Sequence, residues 1–167
     1  MEIIDYFKTA DPKVIVSYLI LILGFLLFFL NLRAILRAKA SETWETTKGV
    51  ILSSELVKQN MTGESSTSYK PKVDYEYYIQ KNTYKSKRVY FGSNIMTTLK
   101  KSKSQDIVDK YPKGREVTVY YDQTNEKISV LETGIKSEIV VGLILGIIFV
   151  LIGFLILNPE ILLKYIN

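Results

Sequence analysis

Two uncharged runs of nineteen residues constrain this chain more than anything else in it: VIVSYLILILGFLLFFLNL at 14–32 and IVVGLILGIIFVLIGFLIL at 139–157. As helices, each covers about 28 Å, close to the hydrocarbon thickness of a bilayer. A backbone in lipid has to satisfy its own hydrogen bonds, so both runs read as transmembrane helices, and the segment between them as a domain tethered at both ends. Gly142, Gly146 and Gly153 fall within about 40° of one another on a helical wheel and form a smooth ridge. With Gly24 of the first run, they are the candidate helix–helix packing residues. Because one domain ties the two runs together, the ridge is expected to face the first run before a second copy. Homodimerisation through the Gly142-xxx-Gly146 spacing is the alternative.

Charge is distributed unevenly. Residues 33–136 hold 19 Lys and Arg against 12 Asp and Glu, in a chain whose net charge is only +5. On a tethered domain, such an excess favours solubility or attraction to anionic headgroups. No nucleic-acid-binding motif accompanies it, so DNA or RNA is not an expected partner. The chain has no cysteine and no histidine, which excludes disulfides, thiolate nucleophiles, imidazole bases and ordinary zinc sites. No cofactor is implied. Gly-rich phosphate loops and nucleophile elbows are absent from the sequence. The carboxylates available for acid–base work are Asp74, Glu76, Asp106, Asp109 and Asp122. Asp74 and Glu76 share a strand face but sit among lysines, as surface charges do. The chain is therefore expected not to be an enzyme.

Residues 1–13 carry Glu2, Asp5 and Asp11 where a secretory signal would be basic, and read as an interfacial segment. Pro12 suits the first turn of a helix, where its missing N–H is not required. Arg33, Arg37 and Lys39 follow the first run, against Lys8 and Lys13 before it, while Lys136 and Lys164 balance at the second. This favours a multi-pass protein of the cell membrane with a cytoplasmic middle domain and both termini outside. The helix is expected to continue to about residue 48, with Arg33 and Arg37 one turn apart and able to snorkel, and with Gly49 as its terminator. Trp44 suits either the interface or a core.

From 49 to 132 the period changes to that of strands. Val73, Tyr75, Tyr77 and Ile79 point one way, and Lys72, Asp74 and Glu76 the other, as in a half-buried strand. A strand at 50–59 precedes it, and 84–91 is its expected hairpin partner across a turn at 80–83. Ser104 is placed as the N-cap of a short helix with Ile107, Val108 and Tyr111 on one face, ended by Pro112 and Gly114. Strands follow at 116–121 and 127–131, across a turn at 122–126. The predicted fold is an α+β membrane protein: two transmembrane helices flank a small antiparallel β-rich domain of about five strands and one short helix. A linker at 133–138 and a tail at 158–167 complete it.

Several stretches together resemble a known family. Trp44-Glu45-Thr46-Thr47-Lys48-Gly49-Val50-Ile51 resembles the opening motif of the membrane-associated family catalogued as domain of unknown function 3592. Tyr75-Glu76-Tyr77, Tyr84 and Phe91-Gly92 are similar to its central hairpin. Tyr111-Pro112-Lys113-Gly114, then Val117, Val119, Tyr120, Tyr121 and Asp122, and later Ser129-Val130-Leu131-Glu132, are similar to its closing motif. The sequence departs at Gln123 and Glu126, where the family often has prolines. The resemblance implies architecture and carries over no catalytic residue.

Twelve tyrosines are an unusual number for 167 residues. The alternation places most of them as core-filling strand residues with wet hydroxyls; a stacking surface for a ligand is the other reading. Tyr78 differs, because it falls on the polar face. Two basic groups stand out, Lys85-Lys87-Arg88 and Lys100-Lys101-Lys103. They read as a solvated face that protects a sheet edge, or as a site for an anion. The candidate anion or lipid contacts are Arg33, Arg37, Lys39, Lys85, Lys87 and Arg88. The leading functional expectation is a non-enzymatic membrane protein whose β domain binds or regulates a protein partner at the bilayer surface, in an accessory or immunity-type role. The alternative is a tethered sensor of an anionic ligand or headgroup.

Overall fold

The computed structural model describes residues 11–60, 67–93 and 101–161. Residues 1–10 of the expected interfacial segment, residues 61–66 between the first two expected strands, Lys100 and the end of the tail lie outside them. The chain divides into two units, one of Ala34–Lys136 and the other of the described parts of Met1–Arg33 and Ser137–Asn167. The elements are helix α1 (Pro12–Ala40), a 3₁₀ turn (Ser41–Thr43), strands β1 (Glu45–Asn60), β2 (Thr67–Ile79) and β3 (Asn82–Ser86), helix α2 (Lys101–Lys110), strands β4 (Glu116–Asp122) and β5 (Asn125–Val130), and helix α3 (Ser137–Leu157).

Both α1 and α3 are long and apolar enough to cross a membrane. In the unit they form, the glycines mark where the backbones touch. A Cβ on Gly146 would lie 2.7 Å from Phe28 N, one on Gly24 2.7 Å from Val150 N, and one on Gly153 2.7 Å from Leu21 Cγ. A Cβ on Gly142 would run into the Asn31 side-chain amide. Rising numbers in one helix meet falling numbers in the other, so the pair is antiparallel. Ser17 and Asn31 are buried between the helices. Each returns a hydrogen bond to its own helix, Ser17 Oγ to Lys13 O at 2.6 Å and Asn31 Nδ2 to Leu27 O at 2.8 Å. The large apolar side chains, including Leu19, Ile22 and Phe29 on α1 and Val141, Ile144 and Leu151 on α3, point outward and are exposed.

The other unit is a five-stranded antiparallel sheet of order β3-β2-β1-β4-β5. Its core face follows the alternation of β2: Val73, Tyr75, Tyr77 and Ile79 are buried, joined by Ile51, Val89, Tyr90, Tyr111, Val119 and Leu131. The sheet curls until its edges meet. Tyr84 of β3 donates to Glu126 Oε2 of β5 at 2.5 Å, and Tyr77 donates to Glu126 O at 2.5 Å.

Four expectations need correction. The first concerns α1, which stops at Ala40 rather than near residue 48. Ser41 Oγ and Gly134 N donate to its Ala38 carbonyl and Thr43 Oγ1 to its Ala40 carbonyl, satisfying the free end of the helix. The β-branched Thr46, Thr47, Val50 and Ile51 then favour a strand. Gly49 lies inside β1, opposite both Tyr77 and Val117, where a Cβ would come within 2.6 Å of Glu76 O. Its role is close approach and not helix termination. The second is β3, which ends at Ser86; Val89, Tyr90 and Phe91 leave the sheet and enter the core. There the Val89 carbonyl accepts from both Leu131 N and Glu132 N. Third, Ser104 is not a cap. It lies buried inside α2, donating to Tyr69 O at 2.8 Å. Last, the β4–β5 turn is two residues, Gln123 and Thr124. Asp122 Oδ1 accepts from Thr124 N and Oγ1 and sets the bend, a local closure that Asp supplies without proline.

Candidate functional site

Two clefts in the sheet unit are lined by described residues. The first, of about 330 Å³, lies at the strand ends where the β2–β3 and β4–β5 turns meet. Glu45, Tyr78, Gln80, Tyr121, Gln123 and Glu126 line it. Gln80 occupies the two-residue hairpin turn at φ 53°, the left-handed region in which few side chains are comfortable. Here the phenols are held by carboxylates: Tyr121 donates to Glu45 Oε2 at 2.6 Å and Tyr78 to Glu76 Oε1 at 2.7 Å. Each of these bonds favours the protonated phenol, and with Tyr84, held by Glu126, both are pushed above the usual tyrosine range.

The second cleft, of about 310 Å³, opens beside the bulge between Ile51 and Ser53. Lys85 and Lys87 stand on its rim with Asp74. Asp74 Oδ2 accepts from Ser53 Oγ at 3.0 Å, while its buried Oδ1 makes no hydrogen bond and lies 3.7 Å from Lys87 Nζ. Here the structure brings together two of the six candidate anion contacts. Arg88, next in sequence, is not with them: it is half-buried, with Cζ 5.1 Å above the Phe91 ring. Arg33 and Lys39 are exposed, and Lys39 pairs with Glu42.

The candidate acid–base groups do not converge. Asp109 accepts from Gln105 on the surface of α2, Asp122 serves the β4–β5 turn, and Glu76 holds Tyr78 on the outer face. Hydrogen bonds from Thr124 lower the Asp122 pKa. Among the described residues no group of three or more carboxylates is placed to hold a metal ion.

Among the described residues the most strongly perturbed carboxylate is Glu132, which is not one of the acid–base candidates of the sequence. Burial works against its charge. Lys110 Nζ at 2.8 Å, Lys136 Nζ at 2.7 Å and the Tyr111 hydroxyl at 3.0 Å outweigh that cost and bring its pKa down to about 2. Burial pushes the Tyr111 phenol up, and the negative charge of Glu132 adds to this. Lys110 and Tyr111 lie 22 and 21 residues away, so no local spacing reveals them; Lys136 is only four residues on. The closing motif, ending in Glu132, was the one available signal. Deeper in the core, Tyr75 is pushed up to about 12 by burial. Its hydroxyl bonds Arg88 O at 2.9 Å and Ser129 Oγ at 3.0 Å.

The order of these pieces matches a family model described as Domain of unknown function (DUF3592), over residues 47–136. That is more than half of the chain. The chain belongs to the DUF3592 family. The DUF3592 match begins within β1 and ends at Lys136, so it covers the sheet, α2 and the Glu132 cluster. A search of the curated proteins gives no match.

Proposed function

We propose that this DUF3592 protein is a non-enzymatic, two-span integral membrane protein of the cell membrane whose sheet unit binds or regulates a protein partner on the cytoplasmic side. One observation carries the membrane reading: the helix pair is inside-out relative to a water-soluble one. Ser17, Asn31 and the glycines face inward, while Ile22, Phe29 and Leu151 are 64%, 60% and 54% exposed. Water would penalise that surface by about 25 cal/mol per Å², whereas lipid does not. The binding role is supported by clefts rimmed with tyrosines and lysines and by acid–base candidates that serve turns and surfaces instead of converging.

The chain has no cysteine of its own, so Lys113→Cys gives a single label site in an exposed loop. A thiol reagent that cannot cross membranes should label it only after permeabilisation, and the chain should resist alkaline extraction. Labelling of sealed cells would reverse the orientation; release by alkali would overturn the membrane reading. For the partner, a photo-crosslinking side chain at Tyr78 should give one discrete adduct in native membranes, and no adduct would count against a protein partner. A sensor of an anionic ligand is the second reading, favoured by Lys85 and Lys87 sharing one cleft.

A further inference from the structure

Arg88 is the basic residue that leaves the sheet. Its guanidinium lies over Phe91, and Phe91 packs edge-on against Trp44 with ring centroids 5.6 Å apart. Trp44 directly follows the 3₁₀ turn that closes α1, so the ring pair brings Arg88 to the end of the helix that carries Arg37. The backbone reinforces this placement. Ala38 O accepts from Gly134 N, and Val89 O accepts from Leu131 N and Glu132 N, which sews both segments to the same short stretch.

Both arginines are half-buried. Among the described residues neither is in an ion pair. Burial lowers the Arg88 pKa, and the positive charge of Arg37 lowers it further. Asp122 is close enough to sense Arg37, but its carboxylate is occupied by Thr124 in the β4–β5 turn. Two like charges partly withdrawn from water, with Asp122 near Arg37 but engaged in its own turn and no described carboxylate paired with Arg88, favour an anion that joins them. A guanidinium held over an aromatic ring keeps its fork of donors free for the oxygens of a phosphate.

We propose that Arg37 and Arg88 together hold the phosphate of an anionic membrane-lipid headgroup, with Phe91 and Trp44 as the platform that orients Arg88. The source follows from the helix. Arg37 comes five residues after Leu32, the end of the apolar run, or about 7.5 Å along the axis, which is headgroup depth. This assignment rests on the membrane-spanning reading and on the second, anion-binding reading of the sheet unit.

The test uses the full chain in nanodiscs of phosphatidylcholine alone or with about one-third phosphatidylglycerol. Trp44 is the only tryptophan, so its fluorescence reports on the site itself. The anionic lipid should raise the Tm by at least about 3 °C and shift the Trp44 emission. The R37Q/R88Q double variant should lose that rise, and K85Q/K87Q should keep it. If the double variant does not fold, R88K keeps the charge but loses the fork, and should lose at least half of the rise. No rise in the parent protein, or a full rise in R37Q/R88Q or R88K, overturns the proposal. So does an equal rise from about 10 mM inorganic phosphate in phosphatidylcholine alone, which would assign the site to a free anion. Failure of the membrane reading looks different, because the chain would then stay soluble without detergent and not enter nanodiscs.

Discussion

The helix pair and the sheet unit of one chain solve opposite packing problems. In the sheet unit, Tyr75, Tyr77, Ile51 and Val119 are at most 1% exposed, and the lysines point outward, as burial in water demands. In the helix pair the small and polar residues are inside and the leucines and phenylalanines outside. On the membrane reading proposed above, association there gains from close backbone approach at Gly146, Gly24 and Gly153, not from removing apolar surface from water. Composition alone does not separate these regimes, since both are rich in apolar residues. Direction does.

The comparison breaks most visibly at Tyr75. Tyr75→Ala removes a fully buried ring and two hydrogen bonds, and should cost about 4 kcal/mol. Chemical denaturation should show the loss in the sheet unit, with the helix pair intact in detergent. Gly146→Leu drives a side chain into the Phe28 backbone and should cost about 3 kcal/mol in the helix pair. Thermal scans in detergent should show that loss with the sheet unchanged; a change in oligomeric state alone would mean that the ridge serves a second copy. Ile148→Lys tests the solvent of the outer face. In lipid it should disfavour insertion by about 3 kcal/mol, read as the glycosylated fraction in a translocation assay, whereas a face in water would tolerate it.

Smaller effects sharpen the electrostatic side. The folded Glu132 pKa of about 2 lies below its ordinary value of 4.5. Its stabilisation is therefore fully present above pH 4.5 and is lost as pH falls toward 2. Glu132→Gln should cost about 2 kcal/mol at neutral pH, less than the whole shift implies because Lys110 is solvent-exposed. Denaturant titrations should show the difference closing near pH 2. Tyr78→Phe, on the exposed face, should change stability by less than about 0.5 kcal/mol.

The alternation Val73-Tyr75-Tyr77-Ile79 was legible because a strand half in water has to sort its side chains by face. The apolar runs were legible for a different reason, an unbroken length of nineteen uncharged residues that matches the thickness of a bilayer. Gly49 misled because glycine has two uses, turning a backbone and admitting a neighbour, and only the packed sheet reveals which applies. Arg88 looked like a third member of a lysine group until β3 ended at Ser86 and ended the alternation with it. The Glu132 cluster depends on Lys110, 22 residues away, a distance no local pattern spans.

The curled sheet also sets an order of assembly. Its central strand, β1, is the first to be synthesised, and the strand that seals the seam, β5, is the last. The clasp between Tyr84 and Glu126 spans 42 residues, so closure waits for a long loop to be gathered in and belongs to the slower class of folding reactions. A nascent chain halted after β4 would carry an open sheet beside an already translated first helix. In that interval the unsealed edges of β3 and β4 are the surface a chaperone would need to shield.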